Sequence, residues 1–309
     1  MRESIKVFAP ATVANVGCGY DVLGFALEGY GDELILTRRH DDQLVIASIE
    51  GVQGLPLAPE KNVSTVAIKT LLADLDLKQG FDLRIKKNIA AGSGLGSSAS
   101  SAAAAVYAAN EMLGRPKSQL ELINYAMAGE KLASTKAHAD NVAPSILGGF
   151  TAVRSYEPLD VFNISYPESL KVVIIFPQIE IKTSDAKKIL KDEVKLTDAV
   201  KQWGNMAGLV SGLIEHDFER IGKSLQDVIV EPVRSILIPF YHQMKTLALK
   251  KGALGFSISG SGPSMFCFMK EASASGEIIE AAQVLYGAHE IGVVSFVSGI
   301  NKQGAKIIE

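Results

Sequence analysis

Residues Ala90 to Ala105, AAGSGLGSSASSAAAA, set glycine at 92, 94 and 96, then a group of serines, then a run of alanine. Glycine reaches backbone conformations that other residues avoid and leaves room for a ligand to come against the main chain. Three glycines at alternate positions therefore form an open loop whose N–H groups can converge. Ser97 or Ser98 then caps a helix whose first amides lack partners and whose dipole favours an anion, phosphate above all. A plain turn that caps an alanine helix fits the same letters. Other nucleotide and nucleophile motifs do not: no GK[ST] follows a glycine loop, the glycines run G-x-G-x-G rather than G-x-G-x-x-G, and there is no G-x-S-x-G elbow.

The stretch GSGLGSSAS resembles the signature of the GHMP small-molecule kinases, named for galactose, homoserine, mevalonate and phosphomevalonate. APATVANVGCGYDVLGFAL near the N-terminus and GFSISGSGPSMF in the second half extend the resemblance, in the expected order, across residues 9 to 266. It implies an α+β, two-domain GHMP kinase fold. Residues 1–160 would form a nucleotide-binding domain like domain 2 of ribosomal protein S5, and 161–309 a ferredoxin-like α/β sandwich. It also implies that ATP lies along Ala90, Ala91, Gly92, Ser93, Gly94, Leu95, Gly96, Ser97, Ser98, Ala99 and Ser100. KAHADNVAPSILGGF, IKTSDAKKIL and EPVRSILIP resemble the branch of the family that phosphorylates the side-chain hydroxyl of homoserine, a step of threonine biosynthesis.

Phosphoryl transfer needs a held γ-phosphate, a divalent ion to offset charge and an alcohol placed in line. For Mg²⁺ the resemblance points to Ser98 and Glu130. The residues themselves agree on Glu130, which continues the apolar stripe Leu120, Ile123, Met127 along an expected helix from Lys117 to Ser134. A carboxylate on a buried stripe calls for a cation, either the metal or a nearby lysine. Asn141 stands where some relatives carry an aspartate base; an amide cannot accept the proton, so the hydroxyl attacks directly once oriented. Thr183 resembles a threonine near the transferring phosphate.

A zwitterionic substrate needs a carboxylate for its ammonium and cations for its carboxylate. Asn15, Asp21, His138 and Arg234 match family positions that contact the amino acid, with Asp21 for the ammonium and the Arg234 fork for the carboxylate. Ordinary roles compete: Asp21 as a turn cap, Arg234 in a surface ion pair beside Glu231, His138 as a structural side chain. Lys187 replaces a second family arginine and loses its bidentate geometry; Ala90 replaces a proline that often precedes the loop. The change at Lys187 keeps another small alcohol open as substrate, and a non-catalytic nucleotide-binding regulator also remains.

The elements that position these groups are legible in part. Strand patterns fall at Ser4 to Phe8, Glu33 to Arg39, Leu44 to Ile49, Phe81 to Ile85 and Phe150 to Arg154, and helical ones at Val63 to Leu75 and Ser97 to Leu113. Ser155 to Leu170, with two prolines, reads as the domain joint. Beyond it come a strand LKVVIIFP, helices at Leu196 to His216, Asp217 to Gln226 and Ser235 to Lys251, and two strands around a helix near Gly276 to Leu285. The chain has 309 residues, 47% hydrophobic, with a formal net charge of −3 from scattered residues, which gives no basic field for nucleic acid. Cys18 and Cys267 make no disulfide framework, and no stretch reaches the ~20 apolar residues of a membrane span. A soluble cytoplasmic enzyme is expected, as a homodimer, with no nucleic-acid or membrane partner.

Overall fold

The long strand β1 (Ser4–Ala14) begins by alternating, with Ile5, Val7 and Ala9 inward, and is wholly buried from Ala9 onward. It outruns the expected Ser4 to Phe8 because Pro10, which cannot donate to a ladder, sits at an irregularity in its pairing with β2 (Leu23–Arg38). The glycines at 24, 29 and 31 hide the first half of β2 from pattern reading. Gly24 is required by close approach, since a Cβ there would lie 1.8 Å from the Asp140 carbonyl oxygen. The structure, a computed structural model, describes residues 2–133, 138–179, 181, 189–272 and 274–309.

Among the described residues the first sheet has seven strands. β11 (Lys306–Ile307), β1, β2, β4 (Phe81–Lys86) and β3 (Leu44–Glu50) lie in that order, and β5 (Phe150–Tyr156) pairs with the start of β2 and with β6 (Leu159–Ile164). β6 carries this sheet across residue 160 into the segment read as a joint, and β11 returns to it from the C-terminus.

Four helices cover the sheet: α1 (Val63–Asp74), α2 (Ser97–Met112), α3 (Gln119–Ala133) and α4 (Ala139–Leu147). α2 is central and packs on β1, β2, α1, α3 and α4. Alanine combines the highest helix propensity with the smallest side chain that still excludes water, so Ala99, Ala102 to Ala105, Ala108 and Ala109 are fully buried on several sides. Gly129 allows a similar approach of α3 to α1, its Cβ position lying 2.4 Å from the Val63 carbonyl oxygen. Periodicity does not give α4, which contains Pro144. On α3, Leu120 points to solvent; the inward face is Leu122, Ile123 and Ala126, and it continues to Glu130.

The second half begins with β7 (Lys171–Pro177), continues through α5 (Leu196–Glu215), α6 (Phe218–Ser224), α7 (Glu231–Arg234) and α8 (Tyr241–Lys250), and then forms β8 (Gly255–Ile258), β9 (Met265–Met269), α9 (Ser275–Gly287) and β10 (Val293–Ser298). The order β10-β7-β9-β8, all antiparallel, is that of a ferredoxin-like sandwich. The helix expected from Ser235 starts instead at Tyr241, after Pro239 and a left-handed Phe240. Phe25 of the first sheet packs on Phe266 and Phe268 of the second, and Phe150 on Phe268, at centroid separations of 5.6 to 6.0 Å, so one apolar cluster joins the halves. No helix of the described residues is long and apolar enough to cross a membrane.

Because α2 has no slack on any side, Ala103→Leu should destabilise the protein by about 1–3 kcal/mol through overpacking. A fall in the urea midpoint at constant slope is the expected result.

Candidate active site

The glycine loop enters α2 through three left-handed residues, Gly92, Gly94 and Gly96, with φ of 72°, 82° and 65°. The conformations have distinct reasons. A Cβ at Gly96 would lie 2.0 Å from Thr12 Oγ1, and one at Gly94 would lie 2.6 Å from the Ser259 carbonyl oxygen, while Gly92 faces open space. The protein engages the loop's carbonyls: Leu95 O accepts from the Thr12 amide at 3.1 Å, Ser93 O from the Ser264 amide at 3.1 Å, and Gly94 O from Ser259 Oγ at 2.7 Å. Negative dipole ends are thereby kept off the cavity. The SGSGPS turn of the second half is thus packed against the loop.

Neither Ser97 nor Ser98 caps α2. The N-cap is Gly96, without a side-chain bond; Ser97 Oγ donates to Ile89 O at 2.9 Å and Ser98 Oγ to Glu130 Oε2 at 3.0 Å. The amides of Ser97, Ser98 and Ala99 precede the first intrahelical bond, from Ser100 N to Gly96 O, and form an uncapped positive end. Leu95, Ala99 and Ser100 turn their side chains into the core, so they can serve a ligand through backbone alone.

Beneath this end lies a buried ion pair that sequence reading missed. Lys87 Nζ donates to Asp32 Oδ2, to Ser97 O at 2.6 Å and to Ser101 Oγ at 2.8 Å, while Asp32 Oδ1 accepts from the Asn88 and Ile89 amides at 2.9 and 3.1 Å. Lys87 and Asp32 are both almost fully buried. Burial pushes the ammonium's pKa down against the pull of Asp32. Nothing in FDLRIKKN or GYGDELIL announces the pairing, because it depends on the register of β4 against β2.

Glu130 is buried beside Ser98, and burial raises its pKa from 4.5 to about 7 against the opposing effects of the Ser98 hydrogen bond, His138 and Lys87. A hydroxyl and a carboxylate side by side are hard oxygen donors of the kind Mg²⁺ takes, and a cation there would relieve the cost that raises the pKa. The residues present fit the ion.

The cavity beside this edge measures about 420 Å³ and is lined from both halves, including Asn15, Asp21, His138, Asn141, Arg234 and Gly260. Gly260 O accepts from Asn15 Nδ2 at 2.8 Å and from an Arg234 terminal nitrogen at 3.0 Å, which draws the two halves together. Arg234 is 4% exposed and lies over the Tyr20 ring at 5.2 Å, not in a surface ion pair; Glu231 instead meets Lys245 and Ser257. Asp21 has φ 57° and its Oδ1 lies 3.2 Å from His138 Nδ1. Asn15 has a second task, since its Oδ1 accepts from the Asp21 amide at 3.0 Å. Asn141 Oδ1 accepts from Thr12 Oγ1 at 2.9 Å, and the residue lines the cavity. Thr183 and Lys187 lie outside the described residues.

Asp140 also lines the cavity. It is buried, Oδ1 has no hydrogen-bond partner among the described residues, and its pKa is raised to about 7 by burial and then by Asp21. The same cavity is also lined by the apolar residues Ile49, Leu55, Pro56, Val63 and Ile85. These residues come from separate elements with no common motif.

Residues 62–149 match the family model described as GHMP kinases N terminal domain, and 209–286 match GHMP kinases C terminal. The homoserine kinase of Chlorobium phaeobacteroides is 44% identical over 99% of this chain and 100% of its own length, and that of Chloroherpeton thalassium is 47% identical over 91% and 92%. The crystal structure of homoserine kinase from Cytophaga hutchinsonii superposes with a TM-score of 0.96 at 49% identity, covering 100% of this chain and 98% of that one.

The raised pKa of Glu130 has a stability consequence. Between pH 4.5 and about 7 the unfolded chain ionises this group while the folded one keeps the proton, so stability contributed here is present at low pH and lost as pH rises through that window. Glu130→Gln should flatten the decline of melting temperature with pH in ligand-free protein; an unchanged slope would remove the buried-acid assignment.

Proposed function

The chain belongs to the GHMP kinase family, and from that premise we propose that it transfers the γ-phosphate of ATP to the side-chain hydroxyl of L-homoserine, giving O-phospho-L-homoserine. GHMP kinases use ATP. The observation that carries the substrate assignment is the cavity wall itself: carboxylates at Asp21 and Asp140 and the guanidinium of Arg234 share one chamber with the open end of α2. An α-amino acid is a zwitterion, and this chamber offers both of its charges a partner.

In this reading the triphosphate lies along the Gly92 to Ser98 backbone, with its base against the apolar lining residues. Ser98 and Glu130 hold Mg²⁺, which when bound supplies positive charge against the phosphate oxygens. Asp21, seconded by Asp140, receives the ammonium and Arg234 the carboxylate, leaving the side-chain hydroxyl to swing toward Asn141. The Asn141 amide is fixed by Thr12, so it can offer N–H donors that orient the hydroxyl oxygen; as the new O–P bond forms and the bond to ADP breaks, the hydroxyl proton passes to an oxygen of the transferred phosphate. The rate then comes from placement and from the electrostatic field of the uncapped helix end. Thr183 and Lys187 are assigned by resemblance to the γ-phosphate and the substrate carboxylate.

An ADP-release assay with L-homoserine, L-threonine, mevalonate and shikimate tests the reading. Turnover should be confined to L-homoserine or strongly favour it; activity on another alcohol without it would overturn the substrate, and nucleotide binding without ADP release would overturn catalysis. Asp21→Asn should raise the KM for homoserine by about tenfold or more while moving that for ATP little, as expected for a lost charge-assisted contact. An equal rise in both constants would count against the ammonium role.

A further inference from the structure

The loop that carries Asp21 and the helix that carries Arg234 are joined by one side chain in neither. Gln202, in the second turn of α5, is 8% exposed. Its Nε2 donates to Cys18 O at 3.1 Å and to Asp227 Oδ1 at 2.9 Å, and its Oε1 accepts from the Val228 amide at 3.0 Å. Both amide hydrogens and the oxygen are therefore used. Asp227 in turn accepts from the Ile229 and Val230 amides at 2.9 Å and from the Glu231 amide at 2.8 Å, closing the turn from which α7 and Arg234 leave.

The other end of the clamp is strained. Between residues 15 and 21, Asn15, Val16 and Asp21 are non-glycine residues with positive φ, at 69°, 36° and 57°. Such conformations persist only where the surroundings over-determine them. Cys18 lies midway between Val16 and Asp21, and its second tie, Sγ to Ser224 O at 3.5 Å, is weak.

We infer that Gln202 is a positioning residue: by fixing the Cys18 carbonyl to the Asp227 turn it sets the span between Asp21 and Arg234, and so selects substrates whose ammonium and carboxylate flank a single carbon. The inference rests on the proposed homoserine reading and specifies how the site measures its substrate. No other side chain of similar size serves. Glutamate would set a second carboxylate against Asp227 and lose the donors, and methionine would fill the space while leaving the Cys18 carbonyl and Asp227 Oδ1 short of a partner.

Steady-state kinetics of the wild type, Gln202→Met and Gln202→Glu with L-homoserine, 4-hydroxybutanoate and 3-aminopropanol test this. The variants should raise the KM for L-homoserine about tenfold, hold that for ATP within about twofold, and narrow the preference for L-homoserine over the two truncated alcohols. A structural role alone would move both KM values together or reduce active enzyme without moving either; either pattern, or an unchanged preference, overturns the clamp and leaves the kinase reading standing. A wild type inactive on L-homoserine overturns both. If Gln202→Met does not fold, Gln202→Glu, which keeps an oxygen for the Val228 amide, decides by the same criteria.

Discussion

The site depends on one exposed end of one buried helix. α2 is enclosed along its length, and the amides that begin it have neither an intrahelical acceptor nor a side-chain cap. A serine cap would have satisfied them and closed the site. The serines are instead turned to other tasks, Ser97 to the Ile89 carbonyl and Ser98 to Glu130, so the positive end is kept for something that is not protein. The glycines that precede it are constrained as well as permissive, because two of them are pressed against Thr12 and the Ser259 carbonyl by the rest of the fold.

Buried charge is arranged around that end in two different ways. Lys87 and Asp32 satisfy each other and the backbone, which makes a rigid polar floor whose removal on one side would strand its partner. At Glu130 and Asp140 burial outweighs the neighbouring groups and raises both pKa values to about 7. In the proposed reading a divalent ion at Glu130 and an ammonium near Asp140 would relieve that desolvation cost.

The two halves are held in register by a shared apolar cluster and by converging polar contacts. Gly260 O receives Asn15 from one half and Arg234 from the other, and Gln202 ties the Cys18 loop to the turn that leads to Arg234. These contacts fix Asp21 and Arg234 relative to one another, which in the proposed reading suits a chemistry that relies on placement rather than on a base.

The glycine-serine loop and the alanine helix after it were legible from residue types alone, because each states a local backbone requirement that no distant contact can replace; the N-terminal and second-half motifs were identified through the family resemblance. Glu130 was named by the family resemblance, and periodicity agreed even though Leu120, first in the stripe, points to solvent. The β6 hairpin was hidden by prolines and α4 by Pro144, where pairing and packing outweigh propensity. Lys87 with Asp32, the apolar lining of the cavity, Asp140 and the Gln202 clamp had no local signature. A hydrogen bond between residues 184 positions apart, such as Gln202 to Cys18, comes from the stacking of one sheet and its helices on another. Sequence thus determined the glycine loop and the helix it opens, because these are local backbone requirements; the tertiary structure decided which charges are paired beneath them and how far apart Asp21 and Arg234 stand, because contacts between distant segments set both.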